Sequence, residues 1–168
     1  AGNYYLTQNV VLSGMTVLTG TLCLNGYTIS AKDGGCPVEV SSGVLNLTDC
    51  AAQPGSVTAA KDQAIDVYSA ANIFNGVIRG GSGSGIYIGP YAANGNVTIY
   101  GGKITGNTSV GEGGGVYADA RSGNWRTKSV VMVQGSAQIT GNKKGEEDNN
   151  LYLPGPSEGV IIHGDLDE

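Results

Sequence analysis

Acid–base work on a sugar needs paired carboxyls, or a carboxylate cluster beside a base, and this chain offers few places for either. Asp66 stands inside an apolar run, Ile65-Asp66-Val67, Asp119 follows Val116-Tyr117, and Glu112 lies in a Gly-rich connector. Arg79, Arg121 and Arg126 put one basic residue near each tract. A glycosidase needs two carboxyls roughly 5 or 6.5–9.5 Å apart, and a lyase needs carboxylates converging on Ca²⁺ with a base to remove a proton. Asp66 and Asp119 follow related tracts and share a face if turns of chain stack, so they and Arg79 are the candidate catalytic groups. The competing reading makes both carboxylates solvated, outward-facing residues, as strand alternation requires of every second position. That reading is the stronger one. The lone His163, beside Gly164 in the last apolar run, reads as a surface or end-of-core residue.

Binding has more support than catalysis. Sugar rings dock on exposed aromatic faces ringed by planar polar groups. Trp125, the only Trp, sits in Arg121-Ser122-Gly123-Asn124-Trp125-Arg126 with nothing apolar beside it. Trp125, Asn124 and Arg126, with Tyr91 in Gly89-Pro90-Tyr91, are therefore the candidate ligand-binding residues. A loop Trp that merely covers the side of the fold is the alternative.

Such residues must be carried by strands. Of 168 residues, 29 are Gly, and only 14% are charged. Average domains carry about 7% Gly and 25% charge. Glycine at this density opposes helix by roughly 1 kcal/mol per site, and 40% hydrophobic content opposes disorder. Short apolar runs recur between Gly, Asn, Asp and Ser, among them Leu22-Cys23-Leu24, Leu45-Asn46-Leu47, Ile86-Tyr87-Ile88 and Val130-Val131-Met132-Val133. Runs of this length and composition are strands. The reading is all-β.

A net charge of −5 and scattered Lys and Arg argue against a nucleic-acid partner. No apolar run approaches the 18 or so residues that cross a bilayer, so membrane insertion is not expected. The chain opens at Ala1 without a signal-like segment, as a processed secreted chain or an excised module would. Cys23, Cys36 and Cys50 match no zinc spacing. They read either as buried small hydrophobes or as one disulfide plus a free thiol, with Cys23–Cys50 the favoured pair.

An internal repeat sets the architecture. Lys103-Ile104-Thr105-Gly106-Asn107 recurs as Gln138-Ile139-Thr140-Gly141-Asn142, 35 residues on, and Tyr117 recurs as Tyr152 at the same interval. Each unit is strand, corner, strand, corner, strand. Units of this kind cannot bury an apolar face alone, so they stack. The expected fold is a single-domain right-handed parallel β-helix over 1–168, a solenoid of short three-strand rungs. Ile104 then lies over Ile139, Asn107 over Asn142 and Tyr117 over Tyr152 as structural ladders. The two Asn are expected to tolerate left-handed corners and to hydrogen-bond as stacked amides. A β-sandwich fits less well, because its turns recur every 8–12 residues.

The segments Tyr4-Tyr5-Leu6-Thr7 to Thr28-Ile29 and Leu45 to Cys50 resemble the opening of right-handed parallel β-helix modules. The Ile-Thr-Gly-Asn units, Gly113 to Tyr117 and Asn149-Asn150-Leu151-Tyr152-Leu153 are similar to the repeats of those modules. They occur in large secreted or surface-anchored proteins of Gram-positive, often gut-dwelling, bacteria. The resemblance implies an extracellular or cell-surface location, neighbouring modules in a longer chain, and an adhesive or glycan-recognising role. Pectate lyases and polygalacturonases share the fold class, but the Asn-Thr-Asp, Asp-Asp, Gly-His-Gly and Arg-Ile-Lys signatures of polygalacturonases are absent from this sequence. The expected function is a non-catalytic stalk with a polysaccharide or glycoprotein glycan as partner. A carbohydrate-active enzyme and a purely structural spacer are the alternatives. No cofactor or metal is expected, Ca²⁺ being the one ion a carboxylate cluster would take.

Overall fold

The computed structural model describes residues 2–89, 96–119, 130–153 and the backbone of 159–166. The chain winds in turns of three short strands. The first turn is β1 (Gly2–Tyr5), β2 (Val10–Leu12) and β3 (Thr16–Val17); the second is β4 (Gly20–Cys23), β5 (Thr28–Ala31) and β6 (Val38–Val40). The third is β7 (Val44–Thr48), β8 (Ser56–Thr58) and β9 (Ile65–Val67), and the fourth is β10 (Ala70–Ile73), β11 (Val77–Arg79) and β12 (Ile86–Ile88). The fifth turn, β13 (Asn96–Ile99), β14 (Lys103–Thr105), β15 (Thr108–Ser109) and β16 (Val116–Ala118), gains a short extra strand. The sixth has two extra: β17 (Val130–Gly135), β18 (Gln138–Ile139), β19 (Lys143–Lys144), β20 (Glu147–Asp148) and β21 (Leu151–Tyr152). Strand β22 (Gly159–Leu166) follows.

Each strand pairs in parallel with its counterpart one turn on, giving a first sheet of seven strands and a second and third of six each. Parallel strands linked through such crossovers coil right-handedly. The molecule is a right-handed parallel β-helix of three-strand rungs. The extra strands form a small sheet, β15-β19-β20, in which β19–β20 is antiparallel. That sheet was not legible in the repeat.

Alternation explains which residues point in. Leu22, Leu47, Ile73 and Ile99 stand in one column of the first sheet. Ile29, Val57, Ile78 and Ile104 do so in the second, and Ile104 pairs onward with Ile139. Val38, Ile65, Ile86 and Val116 line the third. Nearly all are fully buried in one core. Full burial of each side chain favours folding by roughly 1.5–3 kcal/mol, so the stacked columns hold the turns together.

The corners differ from expectation in one respect. Gly106 and Gly141 take the left-handed conformation, each at φ +66°, and not Asn107 and Asn142. Glycine carries no Cβ penalty there, which frees the amides to point inward. Asn107 and Asn142 are completely buried. Asn107 Nδ2 donates to Asn142 Oδ1 at 2.8 Å and to the Ile78 carbonyl, while its Oδ1 accepts from Gly81 N–H. Asn142 Nδ2 donates in turn to Asn150 Oδ1 and the Ile104 carbonyl. The amide ladder thus satisfies backbone groups that a tight corner strands inside the core. At Gly115 a Cβ would run into the Asn150 carbonyl and the Asn142 side chain, so glycine is required for the turns to approach.

Cys23 and Cys50 form a disulfide across the second and third turns, with Cα atoms 6.4 Å apart. Cys36 is free and buried. Its Sγ donates to the Val38 carbonyl, and burial pushes the thiol up to about 12.

Candidate functional site

The outer face of the third sheet carries the chemistry. Val17, Glu39, Asp66, Tyr87, Tyr117 and Tyr152 stand one above another, one per turn. They occupy the alternate positions to the buried valines and isoleucines of the same strands. Tyr87 and Tyr117 meet edge-to-face at 5.5 Å between ring centroids, and Tyr117 and Tyr152 at 5.7 Å. Each of the three rings is half-buried. Aromatic edges packed against faces gain about 0.5–1.5 kcal/mol per pair, and the packing leaves part of each ring toward solvent. Tyr117 and Tyr152 are therefore a ladder on the outside of the helix.

Both candidate carboxylates belong to this face. Asp66 is adjacent in register to Tyr87, and the Tyr87 hydroxyl donates to Asp119 Oδ2 at 2.6 Å. Neither is solvated as an outward strand position suggests: Asp66 is 5% exposed and Asp119 3%. Neighbouring side chains cover them. Gln63 Nε2 donates to Asp66 Oδ2 at 3.1 Å, whereas Asp66 Oδ1 is buried with no hydrogen-bond partner among the described residues. Burial pushes the Asp66 carboxyl up to about 6; Gln63 and the Tyr68 hydroxyl pull the other way, and the nearby charges of Glu39 and Asp62 add to the rise. The Tyr68 ring packs where a Cβ of Gly89 would stand.

Arg79 is not brought to the carboxylates. It lies exposed on β11 of the second sheet, a different face of the solenoid. Glu112 is also engaged elsewhere: it holds the Lys144 ammonium, raising the pKa of Lys144 through that hydrogen bond, and accepts from Asn149. Among the described residues no group of three or more His, Cys, Asp or Glu is placed to hold a metal ion. Trp125, Asn124, Arg126 and Tyr91 lie outside the described residues. The chain segments that contain them, 89–95 and 119–129, leave β12 and β16 and return to β13 and β17. Both therefore start at the edge of the tyrosine face.

Sequence reasoning did not find Tyr87, Glu39 and Tyr68 as members of this face. The signal was present in Ile86-Tyr87-Ile88, but its shorter connector hid the register with Tyr117. Asp49 was also missed. Its buried carboxylate accepts from the N–H groups of Gly26, Ala51 and Gly55 and ties the corner after β4 to the connector after β7.

Comparison of the chain with protein families, curated proteins and solved structures finds no match in any of the three.

Proposed function

We propose that the chain is a non-catalytic recognition stalk on a cell surface or in the extracellular space, and that the outer face of the third sheet binds glycan. The observation that carries this reading is the in-register, half-exposed ladder of Tyr87, Tyr117 and Tyr152 beside the Asp119 carboxylate. Rings with accessible apolar surface next to hydrogen-bonding groups suit the two sides of a pyranose. A disulfide persists in oxidising compartments, which supports an extracellular setting. A rigid solenoid built from stacked rungs suits a stalk, and the likeness to modules of Gram-positive surface proteins supports the same assignment. Trp125 and Tyr91 stay candidate ligand-binding residues from the sequence.

A glycan array tests the reading. Binding of a defined set of glycans that Trp125→Ala weakens is the expected result, and no binding above background removes its basis.

One observation favours a second reading, a carbohydrate-active enzyme: a buried carboxyl held up to about 6 is how a general acid is commonly set. Against it, Asp66 is sealed from solvent and Arg79 stands on another sheet. Release of reducing or unsaturated sugar ends from uronate-rich polysaccharides, lost in Asp66→Asn, would establish this second reading.

A further inference from the structure

The second sheet carries a charge pattern opposite to that of the third. None of its strands, β2, β5, β8, β11, β14 and β18, contains an Asp or Glu, whereas the outer column of the third sheet holds Glu39 and Asp66. Two cations stand on the outer face of the second sheet. Arg79 belongs to the column Ser30, Thr58, Arg79, Thr105, and Lys103 to the parallel column Ser56, Val77, Lys103, Gln138. Both are exposed, while their chain neighbours Ile78 and Ile104 are fully buried. The two cations are diagonal neighbours on adjacent strands, and such strands lie about 4.8 Å apart.

The other basic residues that the structure describes keep a carboxylate close by. Lys32 precedes Asp33 and Lys61 precedes Asp62 in the chain. Lys143 lies opposite Asp148, and Lys144 lies opposite Glu147 while bonded to Glu112. Arg79 and Lys103 have no carboxylate beside them in sequence or in register. Among the described residues no ion pair engages either of them. In a chain of net charge −5, a carboxylate-free face with two unneutralised cations selects an anion. Hydroxyls complete the face: Thr58 and Thr105, both partly exposed, flank Arg79 one turn to either side.

We propose that the outer face of the second sheet binds a sulfated polysaccharide, laid along the solenoid axis across the fourth and fifth turns. A sulfate ester presents three outward oxygens, and the Arg79 guanidinium with the two flanking hydroxyls offers a donor to each. A planar carboxylate has only two oxygens and leaves one of those donors unused. Lys103, a point charge one turn on, meets a second sulfate of the same chain, so a repeating anion engages both cations. Nucleic acid is the poorer partner, because two cations neutralise too few phosphates to hold a polyanion against a net charge of −5. This face lies on a different sheet from the tyrosine ladder, so either assignment can fail without the other.

Calorimetric titration with heparin, desulfated heparin and polygalacturonate tests it. Arg79→Gln/Lys103→Gln is the variant, and Lys32→Gln/Lys61→Gln changes the net charge equally at other positions. Both cations of the variant pair are exposed, so it is expected to keep the far-ultraviolet dichroism of the parent. The parent is expected to bind heparin more tightly than the other two probes, with an affinity that falls as salt is raised. Arg79→Gln/Lys103→Gln is expected to lose about tenfold or more in heparin affinity, while Lys32→Gln/Lys61→Gln and Tyr117→Ala stay close to the parent. No heparin binding by the parent overturns the proposal. Equal losses in the two double variants reduce the effect to net charge and overturn the site. Polygalacturonate bound as tightly as heparin overturns the choice of sulfate. Loss in Tyr117→Ala alone moves heparin to the third sheet and overturns the assignment to the second.

Discussion

Within one strand of the third sheet, neighbouring residues live by different rules. Ile65, Ile86 and Val116 form a column of near-identical, fully buried side chains. The alternate column runs Glu39, Asp66, Tyr87, Tyr117 and Tyr152, changing from carboxylate to phenol partway up. The inner column is constrained by what stacks above and below, because a gap or a polar atom there costs several kcal/mol. The outer column is free of that constraint, and the proposed glycan contact is assigned to it. Fold and proposed function thus share strands but not side chains.

That division is open to attack from its strongest side first. Ile86→Ala leaves a cavity in the inner column and is expected to destabilise the chain by about 3–4 kcal/mol, read as a shift of the denaturation midpoint without change in slope. Tyr117→Ala, on the next strand but facing outward, is expected to cost about 1 kcal/mol. Equal losses would erase the distinction. Asn107→Ala tests whether the corner amides belong with the inner column: it strands the Gly81 N–H and the Ile78 carbonyl, for an expected loss of about 2–3 kcal/mol. A loss below that of Tyr117→Ala would make the ladder incidental.

Asp66 lies in the outer column yet is buried, and pH separates its contribution. Its carboxyl is raised from 3.8 to about 6 in the folded chain, so between those values the folded state binds its proton more tightly than the unfolded state. Its stabilising effect is complete below about pH 4 and is lost as pH rises through 6. Asp66→Asn is expected to be more stable than the parent at pH 7.5 by about 3 kcal/mol and to show little difference at pH 4. Chemical denaturation of both proteins at the two pH values reads this directly. A variant less stable than the parent at pH 7.5 would mean that the charged carboxylate is held by partners. The smallest effect concerns Cys36, whose thiol is pushed up to about 12. It is expected to resist alkylation at pH 8 until the chain is unfolded, and rapid native labelling would contradict its burial.

The all-strand, stacked-rung architecture was legible because apolar alternation and the Gly-Asn corners repeat. The 35-residue period from Asn107 to Asn142, however, describes only a turn that includes the long segment 119–129. Earlier turns are shorter, with Leu22, Leu47, Ile73 and Ile99 at intervals of 25, 26 and 26 residues, and connectors of unequal length obscured that register. The same irregularity hid Tyr87 from the tyrosine ladder. The burial of Asp66 and Asp119 was not legible, because alternation tells which way a side chain leaves a strand and not what folds over it. The disulfide remained one of two readings until the second and third turns were stacked.

Glycan binding by Tyr117→Ala tests the central claim most directly. With a glycan chosen from the array and the variant's circular dichroism matching the parent's, calorimetric titration is expected to show affinity reduced about tenfold, or 1.4 kcal/mol. An unchanged affinity in a folded Tyr117→Ala would contradict the assignment of recognition to the outer column of the third sheet.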